Sequence, residues 1–387
     1  MNYISHPILF LSFLFLIVSF GCSNTSSQTE VHPIPDLLPH SGFKGYEVAR
    51  DESKKNNELL PWQIELLQQT LSDSSSIVQK QLPFKFHNSF GVYWVSLPGR
   101  LVAYHVGSDY LFEIDLITLE AYQVAGPGNG PSEISYSTSL FQARDTIYIA
   151  GSDGRVRSFD CTSTPCEYSN SFKIEQSIRA GTVSTEGVAL MTQQFMTEEN
   201  RSENFESVHV YDYTGTFKNR FGESYQSNNW MVRDLYSQGD LEFDEKAGVY
   251  ILYFSHIPNL YFYSDLMELI DVVKIPNFEQ SQVFYDTKSG GRSVEINSLI
   301  TRLNRIDDRK YALRVSHNYD TRDDEGRPVY NRKHEFYYLK ADENKLRFVG
   351  EYTHRGYEIK DIQITERGIV MSCGGINYFV GKQWDQN

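Results

Sequence analysis

The chain has 387 residues, and its 50 Asp and Glu outnumber its 36 Lys and Arg to give a net charge of −14. Such an acidic balance argues against nucleic acid, or an anionic membrane surface, as the main partner. With 40% apolar residues, 24 Phe, 26 Tyr and 4 Trp, there is too much core-forming material for a disordered chain. The aromatic share of 14% leans toward β structure, where flat side chains fit a pleated surface.

The first predicted element is an export signal, residues 1–21. Ile8 to Phe20 is apolar apart from Ser12 and Ser19. It is shorter than the about 20 residues a bilayer span needs, and it fits the apolar region of a secretory signal. Met1 to Pro7 carries no Lys or Arg, a departure from the usual signal pattern. Ser19-Phe20-Gly21-Cys22 resembles a bacterial lipoprotein box, with a small residue before the cysteine to be acylated. The alternative is ordinary cleavage at Ser19-x-Gly21, which leaves Cys22 a plain residue. The polar tether that begins at Ser23 favours lipidation, because an anchor needs a solvated spacer. By resemblance to Gram-negative lipoproteins, Ser rather than Asp at position 23 implies transfer to the outer membrane. Attachment to the membrane is then through an N-terminal lipid only.

Residues 22–57 read as tether and linker. Residues 58–76 hold a short helix, since Leu60, Ile64, Leu67 and Leu71 recur on one helical face with Pro61 near the start. From residue 77 to 387 the pattern is short apolar strands separated by Gly and Asp turns. One unit recurs six times: strand, tight turn, strand, variable loop, strand, strand. Its second strands are Leu101–Val106, Thr146–Ala150, Gly187–Thr192, Gly248–Phe254, Lys310–Ser316 and Gly368–Cys373. Aspartates close the first five third strands, at Asp115, Asp160, Asp212, Asp265 and Asp342, each expected to accept backbone amides of the next turn. Six four-stranded units predict an all-β fold, a six-bladed β-propeller with a short N-terminal helix. The sixth unit stops after its third strand, so Ile77–Phe86 is expected to supply the missing strand and close the ring.

Val124-Ala-Gly-Pro-Gly-Asn-Gly-Pro-Ser-Glu133, with Thr146-Ile-Tyr-Ile-Ala150 and Arg155-Val-Arg-Ser-Phe-Asp160, resembles the six-bladed propeller lipoproteins of Bacteroidetes, relatives of the NHL and TolB-like propellers. Ser132 stands where that family's run has a second Gly. The motif covers only about residues 120–160; the other blades match in pattern. The resemblance implies an exported, envelope-associated protein and no particular reaction.

Four cysteines suit an oxidising compartment. Cys161 and Cys166 flank Thr-Ser-Thr-Pro and are expected to bond across that turn; no nearby His or Cys completes a metal set. Cys373, in an apolar strand, reads as a buried thiol.

In a propeller the first-to-second and third-to-fourth turns share one face, and the remaining connections share the other. The long segments Gln193–Glu206, Glu223–Gly239, Ile275–Ile296 and His317–His334 all fall on the second face, which is the expected working face. Candidate ligand-binding residues there are Tyr225, Asn229, Trp230, Arg233, Tyr285, Arg292, Tyr319 and Arg322. Aromatic planes beside amides and charges suit a glycan, a peptide or a partner envelope protein. No cofactor is expected. An enzyme is the alternative: His105, His256 and His317 end second strands on this face, and their convergence would make an axial metal site for a propeller lyase or lactone hydrolase. The Gly126–Gly130 run lacks the Gly-Lys-Ser/Thr of a phosphate loop and reads as an inter-blade turn.

Acylation of Cys22 has a direct test. Cys22→Ala is expected to move the protein from the membrane fraction to the soluble one, as followed by fractionation and blotting.

Overall fold

The computed structural model describes residues 46–47, 62–72, 79–85, 92–193, 205–225, 230–279, 281–285, 292–322, 328–355, 359–365, 367–373 and 376–381. Cys22 and Asn229 lie outside these residues. A two-residue strand β1 (Tyr46–Glu47), helix α1 (Trp62–Ser72) and strand β2 (Gln79–Lys85) precede the first blade. Blade 1 holds β3 (Val92–Leu97), β4 (Arg100–His105), β5 (Tyr110–Asp115) and β6 (Ala121–Ala125). Blade 2 holds β7 (Ser137–Ala143), β8 (Thr146–Gly151), β9 (Arg155–Asp160) and β10 (Glu167–Lys173). Blade 3 holds β11 (Ser177–Ser184), β12 (Gly187–Gln193), β13 (Glu206–Tyr211) and β14 (Phe217–Glu223), and helix α2 (Trp230–Tyr236) follows it.

Blade 4 is β15 (Gly239–Asp244), β16 (Val249–Phe254), β17 (Asn259–Ser264) and β18 (Leu269–Lys274). Strand β1 adds in parallel to its outer edge. A hairpin of β19 (Gln282–Tyr285) and β20 (Arg292–Glu295) leads to blade 5. That blade is β21 (Ser298–Asp307), β22 (Lys310–Arg322), β23 (Pro328–Lys340) and β24 (Lys345–Arg355). Blade 6 is β25 (Ile359–Thr365), β26 (Gly368–Cys373) and β27 (Ile376–Gly381), completed by β2. The fold is a six-bladed β-propeller.

Strand β2 pairs antiparallel with β27, with Gln79 opposite Val380 and Lys85 opposite Ile376. The expected closing strand therefore occupies the outer position of blade 6. The pairing is irregular between Gln81 and Lys85, where Pro83 has no N–H to give the ladder. The six first strands are neighbours in a closed cycle, β3 to β7 to β11 to β15 to β21 to β25 and back to β3.

Both faces of each blade are buried. In β16, Val249, Ile251 and Tyr253 pack toward blade 5, while Tyr250, Leu252 and Phe254 pack toward blade 3. In β4, Leu101 and Ala103 face blade 6, while Val102 and Tyr104 face blade 2. Six buried clusters thus fill the six junctions between blades. This is why the second strands read as unbroken apolar runs. Helix α1 sets Ile64 and Leu67 into the junction of blades 5 and 6, and Gln63 donates its side-chain amide to the Ile306 carbonyl at 3.0 Å.

The expected aspartate turns form in three blades. Asp115 accepts the amides of Ile117 and Thr118, Asp160 that of Thr162, and Asp212 those of Thr214 and Thr216. Blade 4 uses the Ser264 hydroxyl instead, accepting from the Glu268 amide, and Asp342 pairs with Arg309 at 3.2 Å. The Gly-rich run is a self-contained turn. Gly128 donates to the Ile134 carbonyl at 2.9 Å and Gly130 to the Glu133 carboxylate at 2.7 Å. A Cβ on Gly128, at φ +156°, would collide with that carboxylate.

Cys161 and Cys166 are disulfide-bonded, and the turn they close docks on blade 1. Arg100 donates to the carbonyls of Cys161 at 2.5 Å and Ser163 at 2.8 Å, and to the Thr164 hydroxyl at 2.8 Å. The fully buried Glu113 accepts from Arg100 at 2.7 Å and from the Cys166 amide at 2.6 Å. Glu113→Ala removes the anion from this clasp and leaves a half-buried guanidinium without its charge partner. It is expected to cost about 3 kcal/mol, measured by chemical denaturation.

Candidate functional site

First strands of a propeller have one edge on the central axis, so polar side chains there remain in water while their neighbours pack between blades. Here the innermost strands of all six blades enclose an axial channel of about 1520 Å³. Its lining runs from Gly107, Ser177 and Gln238 on the long-segment face to Pro98, Arg144 and Asp145 on the tight-turn face.

Most charges along this channel have partners. Arg179 pairs with Asp234 of α2 at 2.5 Å, and Gln193 donates to the same carboxylate at 2.9 Å. Arg144 pairs with Glu245 at 3.0 Å and Arg305 with Asp308 at 2.8 Å. Arg302 lies over the Tyr93 ring at 5.1 Å. Asp109 accepts the Tyr104 hydroxyl at 2.5 Å.

Asp240 and Glu242 differ. They are alternate residues of β15 and so share one face of the strand, with Leu241 buried on the other. Asp240 accepts its neighbour's amide, Leu241 N–H, at 2.9 Å. Among the described residues no side chain donates a hydrogen bond to Asp240, and none donates to Glu242. Desolvation pushes the Asp240 carboxyl up to about 6, opposed by the Leu241 amide and by Arg302. Desolvation, with the adjacent Asp240 charge, pushes Glu242 up to about 8, opposed by Arg305 and Arg302. Neither residue stood out in the sequence reading. The available signal was Gly239-Asp-Leu-Glu-Phe-Asp244, a first strand with acids at every second position.

The residues singled out from sequence divide into several groups. Tyr225 is buried against Tyr236, ring centroids 4.8 Å apart, and belongs to the core between blades 3 and 4. Arg233 is also buried, its guanidinium 4.1 Å above the Phe205 ring. Both side chains are thus buried in this structure. Trp230 opens α2, and Tyr285 and Arg292 face each other in the β19–β20 ladder; their side chains lie outside the described residues. Tyr319 is exposed on β22, opposite Asn331. Arg322, at the end of β22, is paired in register with Pro328, and its side chain also lies outside the described residues. The expected loop His317–His334 is thus largely an extension of the β22–β23 hairpin. Long-range strand pairing satisfies backbone groups that a free loop would leave to water.

The three strand-end histidines do not converge. His105 bonds through Nδ1 to Ser108 Oγ at 2.6 Å, His256 to Ser281 Oγ at 2.9 Å, and His317 to Ser298 Oγ at 2.8 Å. None lines the channel, and no group of three or more His, Cys, Asp or Glu suited to a metal is present among the described residues. Burial holds the His256 imidazole down at about 4, so it packs neutral against Tyr236. His317 instead faces the fully buried Glu335 at 3.3 Å. Burial would raise that carboxyl, but hydrogen bonds from His317, Lys333 and Tyr337 outweigh it and hold the group far below the usual carboxylate range.

A six-bladed propeller with a polar axial channel is the class that fold and site define. No family model and no curated protein matches the sequence. In structure, the chain is similar to a member of the DUF4221 family from Bacteroides vulgatus. The TM-score is 0.53 at 10% identity, over 79% of this chain and 96% of that one. A presumed exported protein from Bacteroides fragilis gives a TM-score of 0.49 at 10% identity, over 80% and 96%. Virginiamycin B lyase from Staphylococcus aureus gives 0.44 at 9% identity, over 80% and 100%. At these identities the likeness concerns the fold alone.

The carboxylate pair has a pH signature of known sign. Folded Asp240 and Glu242 bind protons more tightly than the unfolded chain does. Their stabilising contribution is full below the unfolded values near 4 and is lost as pH rises through about 6 and then about 8. Glu242→Gln is therefore expected to raise the melting midpoint by a few degrees at pH 8.5 and to leave it nearly unchanged at pH 5. Thermal denaturation at the two pH values measures this.

Proposed function

We propose that the protein is a lipid-tethered propeller of the cell envelope, a binding module whose ligand enters the axial channel from the long-segment face. The observation that carries this reading is the channel itself, with two recessed carboxylates on β15 that no side chain among the described residues satisfies. A pocket with a few convergent polar groups is where small ligands and chain segments bind. The long-segment face supports the choice of entrance, because Asp234 of α2 anchors Arg179 and Gln193 of the channel wall.

The ligand classes proposed for this mouth are a glycan, a peptide or the tip of a partner envelope protein. Tethering rests on the N-terminal signal and Cys22. Among the described residues no helix is long and apolar enough to cross a membrane. The lyase or lactone hydrolase alternative required His105, His256 and His317 to converge, and each sits instead against its own serine.

Thermal melting of the purified protein against panels of oligosaccharides and peptides tests the reading. A ligand at 100 times its dissociation constant adds about 2.7 kcal/mol, which raises the midpoint by a few degrees. Asn304 lines the channel on β21, and Asn304→Trp narrows it. The expected result is a shift with one ligand class that Asn304→Trp abolishes. A shift that survives Asn304→Trp places the ligand elsewhere, and no shift with any member of the panels removes the proposal.

A further inference from the structure

Building on the lipid tether proposed above, we infer that the tight-turn face lies against the lipid surface that holds the tether, with the apolar tips of its third-to-fourth turns in the headgroup layer. The argument starts from where the chain leaves the propeller. Strand β18 follows the tight turn 264–268 and ends at Lys274, on the long-segment face. Strand β1 runs parallel to it, with Tyr46 beside Val273 and Glu47 beside Lys274. The chain on the Cys22 side of Tyr46 therefore departs toward the tight-turn end of blade 4. A lipid at Cys22 tethers the propeller by that end.

A second, separate observation is where the exposed apolar side chains sit. Ile117, Tyr213 and Leu266 occupy the third-to-fourth turns of blades 1, 3 and 4. Tyr168, Phe217 and Ile270 lie within the first two residues of the fourth strands of blades 2, 3 and 4, at the same end. Of the large exposed hydrophobic side chains among the described residues, only Tyr136 and Tyr319 lie toward the long-segment face. Ile117 is 67% exposed and Leu266 75%, so these two aliphatic tips have no cover within the chain. Single exposed apolar residues are ordinary, but their gathering at one end of the molecule marks a contact surface.

The chemistry of this face suits lipid headgroups. Its turn charges are paired in place: Arg144 with Glu245, Lys246 with Asp308, Arg309 with Asp342 and Lys345 with Glu343. Such pairs stay hydrated among headgroups while aliphatic and tyrosine tips enter the interface. The chain's net charge of −14 disfavours an anionic surface, so a zwitterionic one is the matching partner. In this placement the long-segment face, with the channel mouth, is turned away from the membrane.

Fluorescence quenching tests this. The lipidated full chain is reconstituted in phosphatidylcholine vesicles that carry a nitroxide on an acyl chain near the headgroup. A bimane label is placed in turn at Ile117→Cys, Leu266→Cys, Tyr136→Cys and Tyr319→Cys, each combined with Cys373→Ser. The expected result is loss of fluorescence to the lipid nitroxide for the labels replacing Ile117 and Leu266, and no loss for those replacing Tyr136 and Tyr319. Loss confined to the Tyr136 and Tyr319 positions, equal loss at all four, or loss at none overturns the inference. Fractionation of the native chain separates this from the tether itself. A native chain found in the soluble fraction discards both. A native chain in the membrane fraction whose labels report the opposite face, or no face, keeps the tether and discards the contact.

Discussion

The structure depends on burying both faces of every blade. A lone four-stranded antiparallel sheet can cover one face and leave the other wet, but these sheets carry apolar side chains on both. Phe262 is fully buried toward blade 5 while Tyr261, one residue earlier, is buried toward blade 3. Each such aromatic contributes about 1.5–3 kcal/mol when removed from water, a contribution that is realised only with a blade on each side. The ring must close, and the short sixth unit recruits β2 from the other end of the chain to complete it. Closure also protects what would otherwise be the open edge of β27.

Polar contacts then fix how the blades meet. The clasp of Arg100, Glu113 and the disulfide-bonded turn joins blades 1 and 2 on the tight-turn face. The buried Asp244 caps its own turn through the amides of Lys246 and Ala247 and accepts the Tyr311 hydroxyl of blade 5 at 3.0 Å. Buried acidic side chains are tolerated in these places because each has donors aimed at it. The carboxylates of the channel lack that compensation. Their raised proton affinity is the cost of placing acids beside the axis, and it is what distinguishes the channel from the junctions.

The repeat was legible because it is local. Tight turns such as Asp307-Asp308-Arg309, second strands such as Gly187–Thr192 and closing aspartates such as Asp212 lie within a few residues of one another. Their offsets are set by strand length and turn chemistry. The site was far less legible. Tyr225 and Arg233 have the composition of a recognition loop, yet Tyr225 packs into the junction of blades 3 and 4 and Arg233 is buried over the Phe205 ring. His105, His256 and His317 share a place in the repeat, but each found a serine within reach and none faces the axis. Asp240 and Glu242 sit in a first strand, where one edge meets water and the pattern is harder to tell from an ordinary exposed strand.

The sequence by itself determined the number of blades, the two-sided burial of their middle strands, the aspartate turns of the first three blades and the strand that closes the ring. These follow from side-chain period and turn chemistry, which act over a handful of residues. Only the tertiary structure decided which polar residues face the axis. That choice depends on residues more than a hundred positions apart in the chain, such as Tyr93 beneath Arg302 and Trp94 accepting from Gln363. A carboxylate becomes a site only when the donors that might have satisfied it are bound elsewhere, and that is known only once all six blades are in place.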